Sequence, residues 1–373
     1  MATACPARKF SGDNHHVYRR ISKSLRQIYP KRMTGRQARH MNTLAGMISG
    51  IVRSGKSQLK AMAKKAPDQS KTESRIKRFS RYLQNDDIDA QTYFTPFLEA
   101  LLAGLATCGP LVLAMDGSEV GRNCLALMVS VIYQKRALPL AWVVVRGSKE
   151  HFPEETHCQL IQTAKPLLPE GSDVIFLGDG EFDGNQLQAE IARNGWQYVC
   201  RTAKNRLIDD AGDEFALDEI HLQPGDCLSL PDVMVTQDKY GPVLVVAWWR
   251  KDTKEPIYLV SNMELAEEAC YWYGKRFRIE TFFSDQKSRG FHLHKSHVSE
   301  PKRMARLLIA ACLAYIWVIY LGALAKRDEW VAIIHRTDRC DLSLFQLGLD
   351  LLNHFLNESL PIPVAFQMPI GSH

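Results

Sequence analysis

The sequence predicts an α/β fold: a mixed sheet with helical crossovers, a basic helical head before it and a β-rich insertion within it. Strand-length apolar runs at 111–116, 125–133, 137–145, 174–179 and 196–200 alternate, after the third, with helical stretches. The rhythm then changes at 203–263 to short strands and turn pairs such as DDAGDE, QPGD and KYGP. Charge also divides the chain. Residues 1–81 carry 20 Lys and Arg against 3 Asp and Glu, a net +17, whereas the remainder carries 27 against 38, a net −11. A basic head on an acidic body is the asymmetry expected where one part holds a polyanion.

The 373 residues make one large domain or two to three modest ones. With 46% apolar and 24% charged residues, a largely disordered chain is excluded. Nine scattered cysteines contain no C-x-x-C pair, which excludes a zinc ribbon and argues against a disulfide framework. The start, MATACPARKF, has no apolar run of a signal peptide. Leu307 to Ala325 is uncharged and long enough to span a membrane, but it is rich in Ala and contains Cys, Trp and two Tyr. It is expected to be a core helix, so the chain reads as soluble and cytoplasmic, with no membrane partner.

In the head, SKSLRQIY ends at Pro30 and Gly35 opens a second helical pattern through residue 52. GKSQLKAMAKK stops before Pro67, and KTESRIKRFSRYLQ follows. There Arg75, Arg78 and Arg81 form a basic stripe, with Ile76, Phe79 and Leu83 on the apolar side. The stripe is either a solvated face or a surface for phosphates.

In the body, 125–133 and 137–145 read as an antiparallel hairpin, 154–168 as a helix, and 182–195 as a helix closed by Gly195. The order strand-strand-strand-helix-strand-helix-strand is ribonuclease-H-like, with Asp116 and Asp179 at strand ends. Ser261 and Glu264 match a capping box opening a helix through Gln286 and Lys287, ended by Gly290. An apolar helix at 303–325 and one at 343–356, opened by Ser343 and Gln346, complete the chain. The expected organisation is a basic region 1–90, a catalytic domain 91–202 with 264–325, a β insertion 203–263, and a helical region 326–373.

Tyr273, Arg276, Glu280 and Lys287 have offsets of 0, 3, 7 and 14, and on one α-helix these project within roughly 60° of each other. A carboxylate between Arg and Lys, with a phenol at one end, suits a metal ligand beside phosphate-binding cations. An exposed helix laced with ion pairs has the same pattern.

The run YGKRFRIETFFSDQK contains Y-(2)-R-(3)-E-(6)-K, and in it the sequence resembles the bacterial "insertion sequence four" transposases, whose nuclease triad is Asp-Asp-Glu. LAMDG, FLGDGEFDG and ETFFSDQKSRGFHLHKSH are similar to the surroundings of that triad, and the resemblance covers roughly 110–300. It implies a triad of Asp116, Asp179 and Glu280, and contacts from Tyr273, Arg276 and Lys287 to the phosphates of DNA ends. Asp-Gly also marks simple turns, Glu119 and Glu181 are rival carboxylates, and Asp183 reads as a helix cap. Three acids around one pocket repel each other unless cations intervene; oxygen ligands suit Mg²⁺ or Mn²⁺, two per site, for phosphoryl transfer.

The implied function is metal-dependent cleavage at insertion-sequence ends, through hairpins, and joining to target DNA, by a homodimer that binds terminal inverted repeats through its head, among them Arg75, Arg78 and Arg81. The implied location is cytoplasmic, associated with the nucleoid. The rivals are a ribonuclease-H-like nuclease that cuts without joining, and a DNA-binding protein with a decayed pocket. Trp248 and Trp249 are candidates to hold a flipped base, and core packing is their alternative. His292, His294 and His297 make a poor zinc site and read as basic contacts to DNA.

Overall fold

The computed structural model describes residues 7–29, 32–68, 70–147, 152–336 and 339–369. Cys5 and the helix-ending Pro30 lie outside the described residues.

The head folds as α1 (Ala7–Ile28), α2 (Gly35–Ser54), α3 (Leu59–Lys65) and α4 (Thr72–Gln84). Thr34 and Gln37 form a reciprocal capping box at the start of α2, and Gly55, at φ 62°, ends it in the left-handed conformation that glycine adopts without strain. α5 (Ala90–Tyr93) and α6 (Glu99–Ala106) lead into the sheet.

The body is mixed α/β. β1 (Leu111–Gly121), β2 (Cys124–Tyr133) and β3 (Arg136–Arg146) form an antiparallel meander. After α7 (Glu154–Ala164), β4 (Val174–Gly178) lies parallel to β1; after α8 (Asn185–Arg193), β5 (Gln197–Thr202) lies parallel to β4.

The segment 203–263 is β-rich, as its turn pairs predict, with β6 (Leu207–Asp210), β7 (Asp213–Ala216), β8 (Cys227–Val235), β9 (Tyr240–Trp248) and β10 (Ile257–Ser261). It adds to the main sheet instead of standing apart. β10 pairs antiparallel with β5, giving one ten-stranded, mostly antiparallel sheet of order β3-β2-β1-β4-β5-β10-β9-β8-β6-β7. Val245, Val246, Leu259 and Val260 are buried in the sheet's two faces, which makes this pairing favourable.

The helix predicted from Ser261 is two helices, α9 (Ala266–Tyr273) and α10 (Arg278–Gln286). Ser261 is buried in β10, where its hydroxyl donates to the carbonyl of Tyr198 and accepts from Met263 N, short of the α9 start at Ala266, so it does not cap that helix. The break runs from Gly274 to Phe277, where hydrogen bonds reach back three residues: Arg276 N to Tyr273 O, and Glu280 N to Phe277 O. Gly274, a weak helix former, permits this tighter turn.

The apolar stretch is α11 (Pro301–Arg327), and 94% of its most apolar 18-residue window is buried inside the protein. α12 (Val331–Ile334) and α13 (Leu344–Asn357) follow, the latter capped by the hydroxyl of Ser343, which accepts from Gln346 N. α2, α4, α13 and β3 all pack on α11. Arg306 of α11 donates to the carbonyls of Leu83 and Ile88, tying the end of α4 to this core helix.

Candidate active site

The parallel pair β1–β4 sets the site. Its register matches Leu111 with Val174 and Ala114 with Leu177. Two residues beyond that pairing, at the same end of the two strands, come Asp116 and Asp179, near enough for Asp179 to raise the Asp116 pKa. Asp179 directly follows β4, as predicted. Asp116 is not the end of its strand: β1 continues to Gly121 against β2, and only its pairing with β4 stops. The turn reading of Asp-Gly also holds at Asp179, whose Oδ1 accepts from Glu181 N at 3.1 Å.

Glu280 lies in the first turn of α10, which packs across β1, β2 and β3. The buried Ile279, Phe282 and Phe283 hold that helix down, with Phe282 edge-on to Tyr315 of α11 at 5.0 Å. Arg276 closes the group: one guanidinium nitrogen donates to Asp179 at 3.3 Å and another to Glu280 at 2.9 Å. Burial works against its charge, yet Tyr273, Asp179, Asp116 and Glu280 hold the guanidinium above its ordinary pKa.

Burial, reinforced by Asp179 and Glu280, pushes the Asp116 carboxyl up to about 7, although Arg276 and a hydrogen bond from Gly117 N oppose the rise. Tyr273 is pushed up by burial and opposed by Arg276 and Arg201. Lys287 lies just beyond α10 and is lowered by burial against the pull of Glu119 and Asp116; its Nζ donates to Ser118 Oγ at 2.6 Å.

The structure therefore gathers Asp116, Asp179, Glu280, Tyr273, Arg276 and Lys287, but not along one helical edge. The tightened turn at 274–277 carries Arg276 inward, and Lys287 reaches the site from beyond the helix end. The three carboxylates do not close on one point. Among the described residues no three His, Cys, Asp or Glu side chains are grouped as a metal site, and Arg276 lies between Asp179 and Glu280 as their cation. Sequence reasoning missed Ser118, though it shares a strand face with Asp116 at the two-residue period.

The rival carboxylates take other partners. Glu181 accepts from Phe152 N, and the exposed Glu119 acts on Lys287. Asp183 does not cap α8: it accepts from Thr202 Oγ1 and pairs with Arg206 at 3.0 Å, while Glu154 of α7 receives Leu187 N at that helix start. A cleft of about 700 Å³ runs from Asp179 past Arg201 and Lys204 to Tyr258. Trp248 packs against core residues under the guanidinium of Arg250, and Trp249 Nε1 donates to Thr253 O. His292 and His294 face each other at 6.1 Å on a segment docked to the α2–α3 loop by bonds Ser57 N to Phe291 O and Gln58 Nε2 to Lys295 O.

In the head, the outward stripe is only partly outward. Arg75 turns in to the carbonyls of Ala66 and Asp68, closing the end of α3, because that helix end leaves carbonyls unsatisfied. Arg78 pairs with Asp68, and Arg81 is exposed.

Residues 109–317, more than half of the chain, match the family described as "Transposase DDE domain". The chain belongs to this family of DDE transposases. No curated protein matches it. Among solved structures it is similar to the piggyBac transposase in a cryo-EM synaptic complex with hairpin DNA, at 12% identity and a TM-score of 0.43, covering 97% of this chain and 83% of that one.

Proposed function

We propose that this protein is an insertion-sequence transposase of the "insertion sequence four" type, which cuts DNA at its element's ends and joins the freed 3′-hydroxyls to target DNA. The carrying observation is the meeting of Asp116 and Asp179 at the end of a parallel strand pair, with Arg276 joining Asp179 to Glu280. The first five strands, in the order β3-β2-β1-β4-β5, then form a ribonuclease-H-like core, and β6 to β10 its insertion.

Asp116, Asp179 and Glu280 offer the oxygen donors that Mg²⁺ or Mn²⁺ prefers, and the Asp116 carboxyl, raised first by burial and then by Asp179, is one whose anion such cations would favour. Ions held there, with the Arg276 guanidinium drawn back from between Asp179 and Glu280, would supply activation of the attacking hydroxyl and charge for the leaving oxygen. Arg276 and Lys287 add positive charge where phosphate oxygens lie during transfer, and Ser118 steers the Lys287 ammonium. Tyr273, beside Arg276, packs against the DNA backbone. The head, through Arg78 and Arg81 among others, grips the terminal inverted repeat, and Lys56 and Lys295 continue that basic path toward Lys287. Two ends must be held together for joining, so the active species is a homodimer on DNA, cytoplasmic and at the nucleoid. Hairpin formation is the proposed route of excision; neither Trp248 nor Trp249 is assigned to it.

The test is incubation of purified protein with labelled duplexes carrying the inverted repeat that flanks its gene, in Mg²⁺ or EDTA. Expected are cut and joined products with Mg²⁺ and none with EDTA. Asp116→Asn, Asp179→Asn and Glu280→Gln should each lose about a thousandfold or more in cleavage while end binding stays within about threefold. Wild-type cleavage by Glu280→Gln removes it from the triad. Cutting without joining favours the nuclease, and bound, uncut DNA favours the decayed binder.

A further inference from the structure

A second concavity, of about 1480 Å³, lies on the other side of α9 and α10 from the triad. Its walls come from the start of β1, the β2–β3 turn, the two helices and the ends of α11 and α13. Lys135, Arg278, Arg289 and Lys326 line it, and Lys135, Arg278 and Lys326 form no ion pair among the described residues. Asp341, an acidic residue of the wall, is held by Arg336 and His335.

Two large rings stand exposed on this groove, Tyr271 at 62% and Phe277 at 55%. Lys275 sits over the rings of Tyr271 and Trp272, with Nζ 4.0 and 3.9 Å from their centroids. Unpaired cations beside exposed aromatic rings form a platform for unpaired nucleotides: phosphates follow the charges and bases stack on the rings. A duplex meets only half of that offer, because its base faces are already stacked.

We propose that this groove binds a single DNA strand. The inference rests on the reading of DNA as the substrate, and it assigns that substrate a second seat. Arg278 and Thr281 face the groove and flank Glu280 in the sequence, so the groove and the triad's glutamate lie at the same level of α10, on opposite sides of the helix. The occupant is a strand separated from its complement beside the cut.

The test is fluorescence anisotropy of the full chain with labelled dT20 and with a 20-base-pair duplex, without metal. The double variant Lys135→Glu/Lys326→Glu should bind dT20 at least tenfold more weakly and with a shallower salt dependence. Tyr271→Ala, at an exposed position that leaves folding intact, should lose about fivefold on dT20 with an unchanged salt slope. Duplex binding should change less than threefold in both. Unchanged dT20 affinity in both variants overturns the proposal, and so does an equal weakening of the duplex, which makes the groove a general polyanion surface. Because this readout needs neither metal nor cleavage, groove-dependent dT20 binding without end cleavage leaves the groove standing and defeats the transposition reading, whereas cleavage with groove-independent binding does the reverse.

Discussion

Asp285 lies one turn past Glu280 on α10, buried against Arg136 of β3 at 3.5 Å and Tyr315 of α11, with Arg289 nearby. Burial pushes its carboxyl from the ordinary 3.8 to about 6, even though Arg136 and Tyr315 favour the anion. The folded protein therefore binds this proton more tightly than the unfolded chain does. Stability from this group is full below pH 3.8, declines as pH rises, and is lost above about pH 6. At about 1.36 kcal/mol per tenfold change in proton affinity, the rise amounts to about 3 kcal/mol. Asp285→Asn stays neutral at every pH and abolishes the decline. Urea denaturation of both proteins from pH 4 to 8 measures it: the stability of the Asn variant relative to wild type should grow by about 2 kcal/mol between pH 4 and pH 7, because part of the full span lies below pH 4. Taking the change with pH cancels any fixed packing cost of the amide. A flat difference, or one that shrinks as pH rises, would show that Arg136 dominates burial and would refute the reasoning.

Two further changes probe the frame around the site. At Gly348 of α13 an added Cβ overlaps the carbonyl oxygen of Val318 on α11, a backbone atom that cannot turn aside, so Gly348→Ala should cost about 3 kcal/mol of unfolding free energy; a loss under about 1 kcal/mol by denaturant titration counts against that close approach. In the head, Arg75→Ala removes three hydrogen bonds, to Ala66, Asp68 and Thr72, and should cost about 1–3 kcal/mol of stability. Arg81→Ala should leave stability within about 0.5 kcal/mol and reduce the salt slope of end binding by about 1. The opposite assignment of the two effects would return Arg75 to the DNA-facing surface.

Much of the fold was legible because strands and helices have different apolar periods. The meander at 111–146 and the crossovers to β4 and β5 follow from runs such as VIFLG, and α11 follows from a stretch too apolar to be exposed. The six residues singled out by type and spacing are neighbours in the fold. Their arrangement was not. The sequence places Tyr273, Arg276 and Glu280 on one helix, but local spacing cannot reveal that Gly274 opens a tighter turn there. Asp183 reads as a cap from its place before a helix, yet Arg206 and Thr202, far along the chain, claim its carboxylate. Ser118 becomes a partner of Lys287 only because α10 crosses β1.

By itself the sequence determined the two-part charge, the β-rich segment before the glutamate, and the chemistry on offer: three carboxylates with a phenol, a guanidinium and an ammonium. These are properties of residue type and short period, which each stretch of chain carries alone. The tertiary structure alone decided that β10 joins β5 in one sheet, that Arg276 comes between Asp179 and Glu280, and that a basic, aromatic groove opens behind α10. Those depend on pairings between segments tens to hundreds of residues apart, and which partner prevails is settled by burial and charge summed over the whole fold.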